Sequence, residues 1–251
     1  MPTPSLRPAP RALLLAICAL ALSACTSASA PSGSPIKVAC FGEQTTHSFH
    51  RVNDPEYPLF LGQLLDADFK AEAIEHPMAG GFLYGGGTHY RIGNFGHPRG
   101  TVIDHDLEDP KAILRSDELK LSEQFNPDIV ILGPFGDHES LTKVSMDHFT
   151  PDLNRLIDHI AAFRSHPFIY LALPVPRGPL DNSDNYRRIR DETLQVARAR
   201  NLPTIDLWTG FLGHPEFFQD GTHLTIPGRH QLAQTVAAAV LKVPAKAAAG
   251  P

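Results

Sequence analysis

Cysteine is scarce in this chain. Of 251 residues only three are cysteine: Cys18, Cys25 and Cys40. Their spacing offers neither a disulfide framework nor a paired Cys/His zinc signature. Cys40 stands alone in an apolar stretch, as a small buried hydrophobe does. Positive charge is also short, with 22 Lys and Arg against 27 Asp and Glu for a net charge of −5. No clustered basic face emerges, so nucleic acid is not an expected partner. There is no HExxH, no internal repeat and no implied cofactor. Beyond the N-terminus no apolar stretch is long enough to span a bilayer.

What is present begins with an export signal. Arg7 and Arg11 form a basic start, Ala12 to Leu22 an apolar run too short to cross a membrane, and small residues follow. Leu22-Ser23-Ala24-Cys25 resembles a bacterial lipoprotein processing box. The resemblance implies cleavage after residue 24 and lipid on Cys25, hence a membrane anchor on the cell membrane or outer membrane. Loss of Arg7 and Arg11 takes the net charge from −5 to −7. Residues 25–35 are mostly Ser, Ala, Pro and Gly and read as a tether. One domain is expected over 36–244, followed by a disordered tail at 245–251.

Within that domain, apolar β-rich runs alternate with helical spacing. Strands are expected at Ile36–Gly42, Arg91–Gly96, Asp128–Gly133, Phe168–Leu173 and Pro203–Trp208. Helices are expected over Tyr57–Ala67, from a capping Thr150 through Ile160, over Asn185–Arg200 and over Leu232–Leu241. The Gly-rich stretch from Glu72 to Tyr90 is long for a connection and reads as a flap or a surface loop. Strands separated by helices give a mostly parallel sheet covered on both faces, with its ligand site beyond the strands' carboxyl ends.

Those ends carry the chemistry. The first reads Gly42-Glu43-Gln44-Thr45-Thr46-His47-Ser48 and the second Asn94-Phe95-Gly96-His97-Pro98-Arg99-Gly100-Thr101. The third reads Gly133-Pro134-Phe135-Gly136-Asp137-His138-Glu139. Near the C-terminus, Phe218-Gln219-Asp220-Gly221-Thr222-His223 places an Asp three residues before a His. That spacing suits the orienting half of a Ser-His-Asp triad. Over nearly the whole mature domain the chain resembles the SGNH (GDSL-type) hydrolases, notably small bacterial esterases acting on acetylated sugars. The resemblance implies a flavodoxin-like three-layer α/β/α sandwich with a five-stranded parallel sheet in the order 2-1-3-4-5.

In that family a Ser after the first strand attacks the acyl carbon, the final His takes its proton and the Asp holds the imidazole. A Gly N–H after the second strand and an Asn after the third join the Ser N–H around the oxyanion. Mapped onto this chain, Asp220 and His223 match. The Ser position is Gln44, whose amide cannot accept an acyl group. The second-block Gly falls on Arg99, or on Gly100 if the turn slips by one. The Asn falls on Gly136 or Phe135, with Asp137 next.

Three readings follow. In the first, an ester is hydrolysed at an altered site. His223 activates a water that Gln44 orients, Arg99 stabilises negative charge, or Thr45, Thr46 or Ser48 replaces the nucleophile. In the second, the domain binds a glycan without turnover, through Gln44, Arg99, Asp137 and His138. In the third, His47, His97, His138 and His223 gather a metal with Glu43, Asp137, Glu139 and Asp220. His50, His89 and His105 are weaker donors. The ranking places hydrolysis first and metal last. The implied ligand is an acylated, in particular acetylated, glycan or another small ester.

Overall fold

The computed structural model describes residues 33–47, 55–72, 84–104, 112–136, 145–176, 184–220 and 223–243. The export signal, Cys25 and most of the tether lie outside these, as do Ser48, His50, His105, Asp137, His138, Glu139 and the C-terminal tail. The chain from Ser34 to Pro251 forms one compact unit.

The parallel strands are β1 (Ile36–Gly42), β4 (Tyr90–Gly96), β5 (Ile129–Leu132), β6 (Phe168–Ala172) and β7 (Thr204–Ile205). They lie in the order β4-β1-β5-β6-β7, which is the expected 2-1-3-4-5. Two short strands correct the expected count of five. β2 (Lys70–Ala71) and β3 (Tyr84–Gly86) extend the β4 edge in antiparallel pairing, giving seven strands among the described residues. β3 lies in the Gly-rich stretch read as a flap or loop. Its backbone takes up ladder hydrogen bonds that β4 would otherwise leave open on that edge.

Side-chain alternation builds the layers. Along β1, Ala39 and Phe41 face one core and Val38 and Cys40 the other. The first core is covered by α2 (Asp117–Phe125), α3 (Phe149–Ala161) and α4 (Asp184–Arg200). The second is covered by α1 (Tyr57–Leu65), α5 (Leu207–Phe211) and α6 (Ile226–Val240). A sheet buried on both faces needs near-continuous apolar strands, which explains the Ile-Val-Ile-Leu run of β5. Burial pushes the Cys40 thiol up to about 12, so it stays protonated and inert.

Helix boundaries follow local chemistry more closely than the sequence reading. Ser116 caps α2 by accepting from Leu119 N–H at 3.1 Å. Thr225 caps α6 by accepting from Gly228 N–H at 3.2 Å, so this helix starts six residues before the expected Leu232. Thr150 is not a cap. A 3-10 turn at Met146–His148 begins α3 earlier, and the Thr150 hydroxyl instead donates to Glu192 at 2.7 Å. Trp208 belongs to α5, because Asp206 accepts from Thr209 N–H at 2.9 Å and ends β7.

Candidate active site

The turn after β1 is set by close packing. A Cβ at Gly42 would collide with the Thr46 hydroxyl, and one at Gly96 would collide with the His47 backbone nitrogen. Only glycine lets the ends of β1 and β4 approach this closely. The Glu43 carbonyl then accepts from Thr46 N–H at 3.1 Å and His47 N–H at 2.8 Å, closing the turn. Thr46 is fully buried beneath it. The Glu43 carboxylate, 2% exposed, accepts a short hydrogen bond from Gly136 N–H. It therefore ties the β1 turn to the loop after β5, a role the sequence reading missed.

His223 sits where the sequence placed it. Asp220 Oδ2 accepts from His223 Nδ1 at 2.7 Å, and Oδ1 accepts from His223 N–H at 2.8 Å. The approach is a tight reversal, with Gln219 N–H donating to the His223 carbonyl at 2.9 Å and a Phe218–Leu224 bridge. Opposite, Gln44 Nε2 lies 3.0 Å from His223 Nε2. An amide nitrogen can only donate, so the imidazole carries its proton on Nδ1 and offers a lone pair at Nε2. Gln44, His223 and Asp220 thus form a continuous chain with the hydrogen-bond order of a catalytic triad and no nucleophile at its head.

The backbone donors considered for an oxyanion are engaged elsewhere in this structure. The Gly100 N–H donates to the His97 carbonyl at 2.8 Å and is not free to serve. The Gly136 N–H is held by Glu43, and Phe135 is a buried core residue with no side-chain donor. Thr45 does not take the nucleophile's place: Gln44 is the residue on Nε2. Thr45 lines a shallow, open side cleft with Glu43, Pro134, Phe135, Val175 and Tyr186.

Among the described residues the strand-end histidines take separate hydrogen-bond partners. His47 Nδ1 lies 3.0 Å from the Gly96 carbonyl and His97 Nδ1 lies 3.0 Å from Glu118 Oε2. His89 pairs with Asp66 at 2.6 Å, at the start of β4 and so at the opposite edge. Among the described residues no group of three or more His, Cys, Asp or Glu could hold a metal ion.

His97 and Glu118 form a second imidazole–carboxylate pair, with side chains 17% and 14% exposed. Burial alone would raise the Glu118 carboxyl. The His97 hydrogen bond and charge, a backbone N–H and nearby His47 outweigh it and hold the carboxyl below its ordinary value. A depressed carboxylate adds stability above its unfolded pKa, near 4.5, which is lost as pH falls through the folded value. Glu118→Gln is therefore expected to cost about 1–2 kcal/mol at pH 7. In urea titrations the gap between mutant and wild type should begin to close as pH falls below the ordinary carboxylate value of 4.5 and vanish below the depressed folded value; a gap unchanged with pH would remove the charge from the explanation.

Arg99 follows β4 at the third position of a turn from His97 to Gly100. Its φ is 58°, in the left-handed region that glycine takes freely and a side chain enters at a cost of about 1 kcal/mol.

Solved structures share this fold. A lipase/acylhydrolase from Enterococcus faecalis matches with a TM-score of 0.58 at 20% identity, over 82% of this chain and 95% of that one. An acetyl xylan esterase matches with a TM-score of 0.60 at 21% identity, over 82% and 100%. The fold is the SGNH hydrolase fold. A carbohydrate acetylesterase from Sinorhizobium meliloti shares it too, with a TM-score of 0.58 at 17% identity over 82% and 98%. No family model matches the chain, and no curated protein does. Within this fold, the Asp-His pair lies between α5 and α6 and meets Gln44 on the turn after β1.

Proposed function

We propose that this protein binds an acylated glycan at the carboxyl edge of its sheet and does not turn it over. One observation carries the reading: the Gln44 amide donates to His223 Nε2, the lone pair a base would use to take a proton. The engaged Gly100 and Gly136 N–H groups point the same way, since each lost oxyanion donor costs roughly a hundredfold or more in rate. Likeness to an acetyl xylan esterase and a carbohydrate acetylesterase supports acetylated sugar as the ligand class. The lipoprotein-like box at Cys25 supports a place at the cell envelope.

A second reading, slow hydrolysis, is favoured by the intact Asp220–His223 pair. If Gln44 swings aside, His223 regains a base's geometry towards water. The test pairs 4-nitrophenyl acetate hydrolysis with calorimetric titration of acetylated and deacetylated xylo-oligosaccharides. We expect rates no higher than buffer, and binding to the acetylated forms that His223→Ala weakens at least tenfold. Turnover that His223→Ala abolishes would establish the hydrolytic reading instead. Equal affinity for both forms of the sugar would remove the acyl group from recognition.

A further inference from the structure

The turn carrying Arg99 is held from three sides. His97 N–H donates to the Gly42 carbonyl at 2.9 Å, tying the turn to the end of β1 two residues before Gln44. The His97 carbonyl accepts from Gly100 N–H at 2.8 Å. The His97 imidazole pairs with Glu118 on α2 at 3.0 Å. Pro98 fixes the second position of the turn, and the third, Arg99, has a φ of 58°. Such a turn favours glycine there, yet it holds an arginine in the strained conformation. Strain at a site's rim is a reason to look for a use.

The charges around the turn narrow that use. Glu118 is occupied by His97. Asp104, the acid five residues beyond Arg99, is occupied by Arg115 and Arg155. Arg99 is exposed and makes no ion pair with any described residue. Among the described residues its guanidinium has no counter-charge, and its turn is mounted on the end of β1 through Gly42. A planar fork of this kind matches a carboxylate or sulfate with two parallel hydrogen bonds.

We infer that Arg99 is the anion-recognising residue of this site and that its ligand is an acidic glycan bearing a carboxylate or sulfate. The inference rests on the strand-end edge being the ligand site, and it adds a charge requirement to the acyl group proposed above. Neither the Gln44–His223–Asp220 chain nor the side cleft supplies a cation, so discrimination between acidic and neutral sugars falls to Arg99.

The test titrates the purified protein with glucuronate, glucose 6-sulfate and glucose, following the Arg99 Nε–H resonance by NMR. Saturable shifts are expected with at least one anionic sugar and none with glucose; which anion saturates identifies carboxylate or sulfate as the group read. Arg99→Gly, which suits the left-handed turn and keeps the fold, should weaken that binding at least tenfold. Arg99→Lys should recover part of it, since charge returns without the fork. Glucose shifting the resonance as the acids do, or Arg99→Gly binding the acids as wild type does, would overturn the inference. The probes carry no acyl group. A positive titration alongside failure to prefer acetylated oligosaccharides would remove the acyl-glycan proposal and keep the anion site. The reverse pattern would remove Arg99's role alone.

Discussion

Gln44→Ser is expected to raise hydrolysis of an activated acetate ester about tenfold to a hundredfold above wild type. A complete serine triad is worth roughly six orders of magnitude in rate. Two missing oxyanion donors take back about two orders or a little more each, so the net gain is modest. Asp220 already fixes the imidazole with Nε2 facing residue 44. Serine's oxygen is two bonds closer to its Cβ than the Gln44 amide nitrogen is, so the shorter side chain leaves space before Nε2. Either the turn closes and Oγ reaches the imidazole, or a water fills the gap. An acyl group trapped on the introduced serine and seen by mass spectrometry distinguishes the two. No gain in a folded Gln44→Ser protein would show that blocking of Nε2 is not what limits the site. The Asn-type donor cannot be restored simply, because Gly136 has a φ of 147° with Tyr186 against its Cα, and Phe135 is in the core.

Arg229→Ala is expected to destabilise the fold by about 3–5 kcal/mol, read as a fall in the urea midpoint. Arg229 on α6 is 5% exposed and Glu56, just before α1, is 7% exposed. Their side chains lie 3.5 Å apart, and Arg229 Nη1 donates to the Pro55 carbonyl at 3.3 Å. Truncation removes a counter-charge from a buried carboxylate, which costs far more than the pair contributes. Replacing both partners, as Arg229→Met with Glu56→Leu, should return most of the loss. The loop bearing His223 runs directly into α6, so Arg229→Ala should also blur the His223 resonances. A loss below about 1 kcal/mol would mean that water reaches the vacated space and screens Glu56.

The local pattern of the chain determined a good deal. Continuous apolar runs such as Asp128–Gly133 read as strands buried on both faces, and the alternation with helices implied a mostly parallel sheet, while the order β4-β1-β5-β6-β7 came with the family resemblance. The three-residue spacing of Asp220 and His223 announced their hydrogen bond, because such a short turn leaves the two side chains few other places to go. The strands Lys70–Ala71 and Tyr84–Gly86 were not legible. A two-residue or Gly-rich strand has no periodicity of its own and exists only because β4 offers an open edge. Likewise, residue types at strand ends suggested a gathering of histidines, but type says nothing of direction. His47 turns to a carbonyl and His97 to Glu118, each taking the nearest partner that satisfies a half-buried ring nitrogen. Whether the Gly100 and Gly136 N–H groups stood open was also beyond the sequence, since their acceptors are the His97 carbonyl and the Glu43 carboxylate. Composition and periodicity are local properties, and they settle which elements form. The partner of each polar group is set by which loops the packed sheet brings together, and that decided the chemistry of this site.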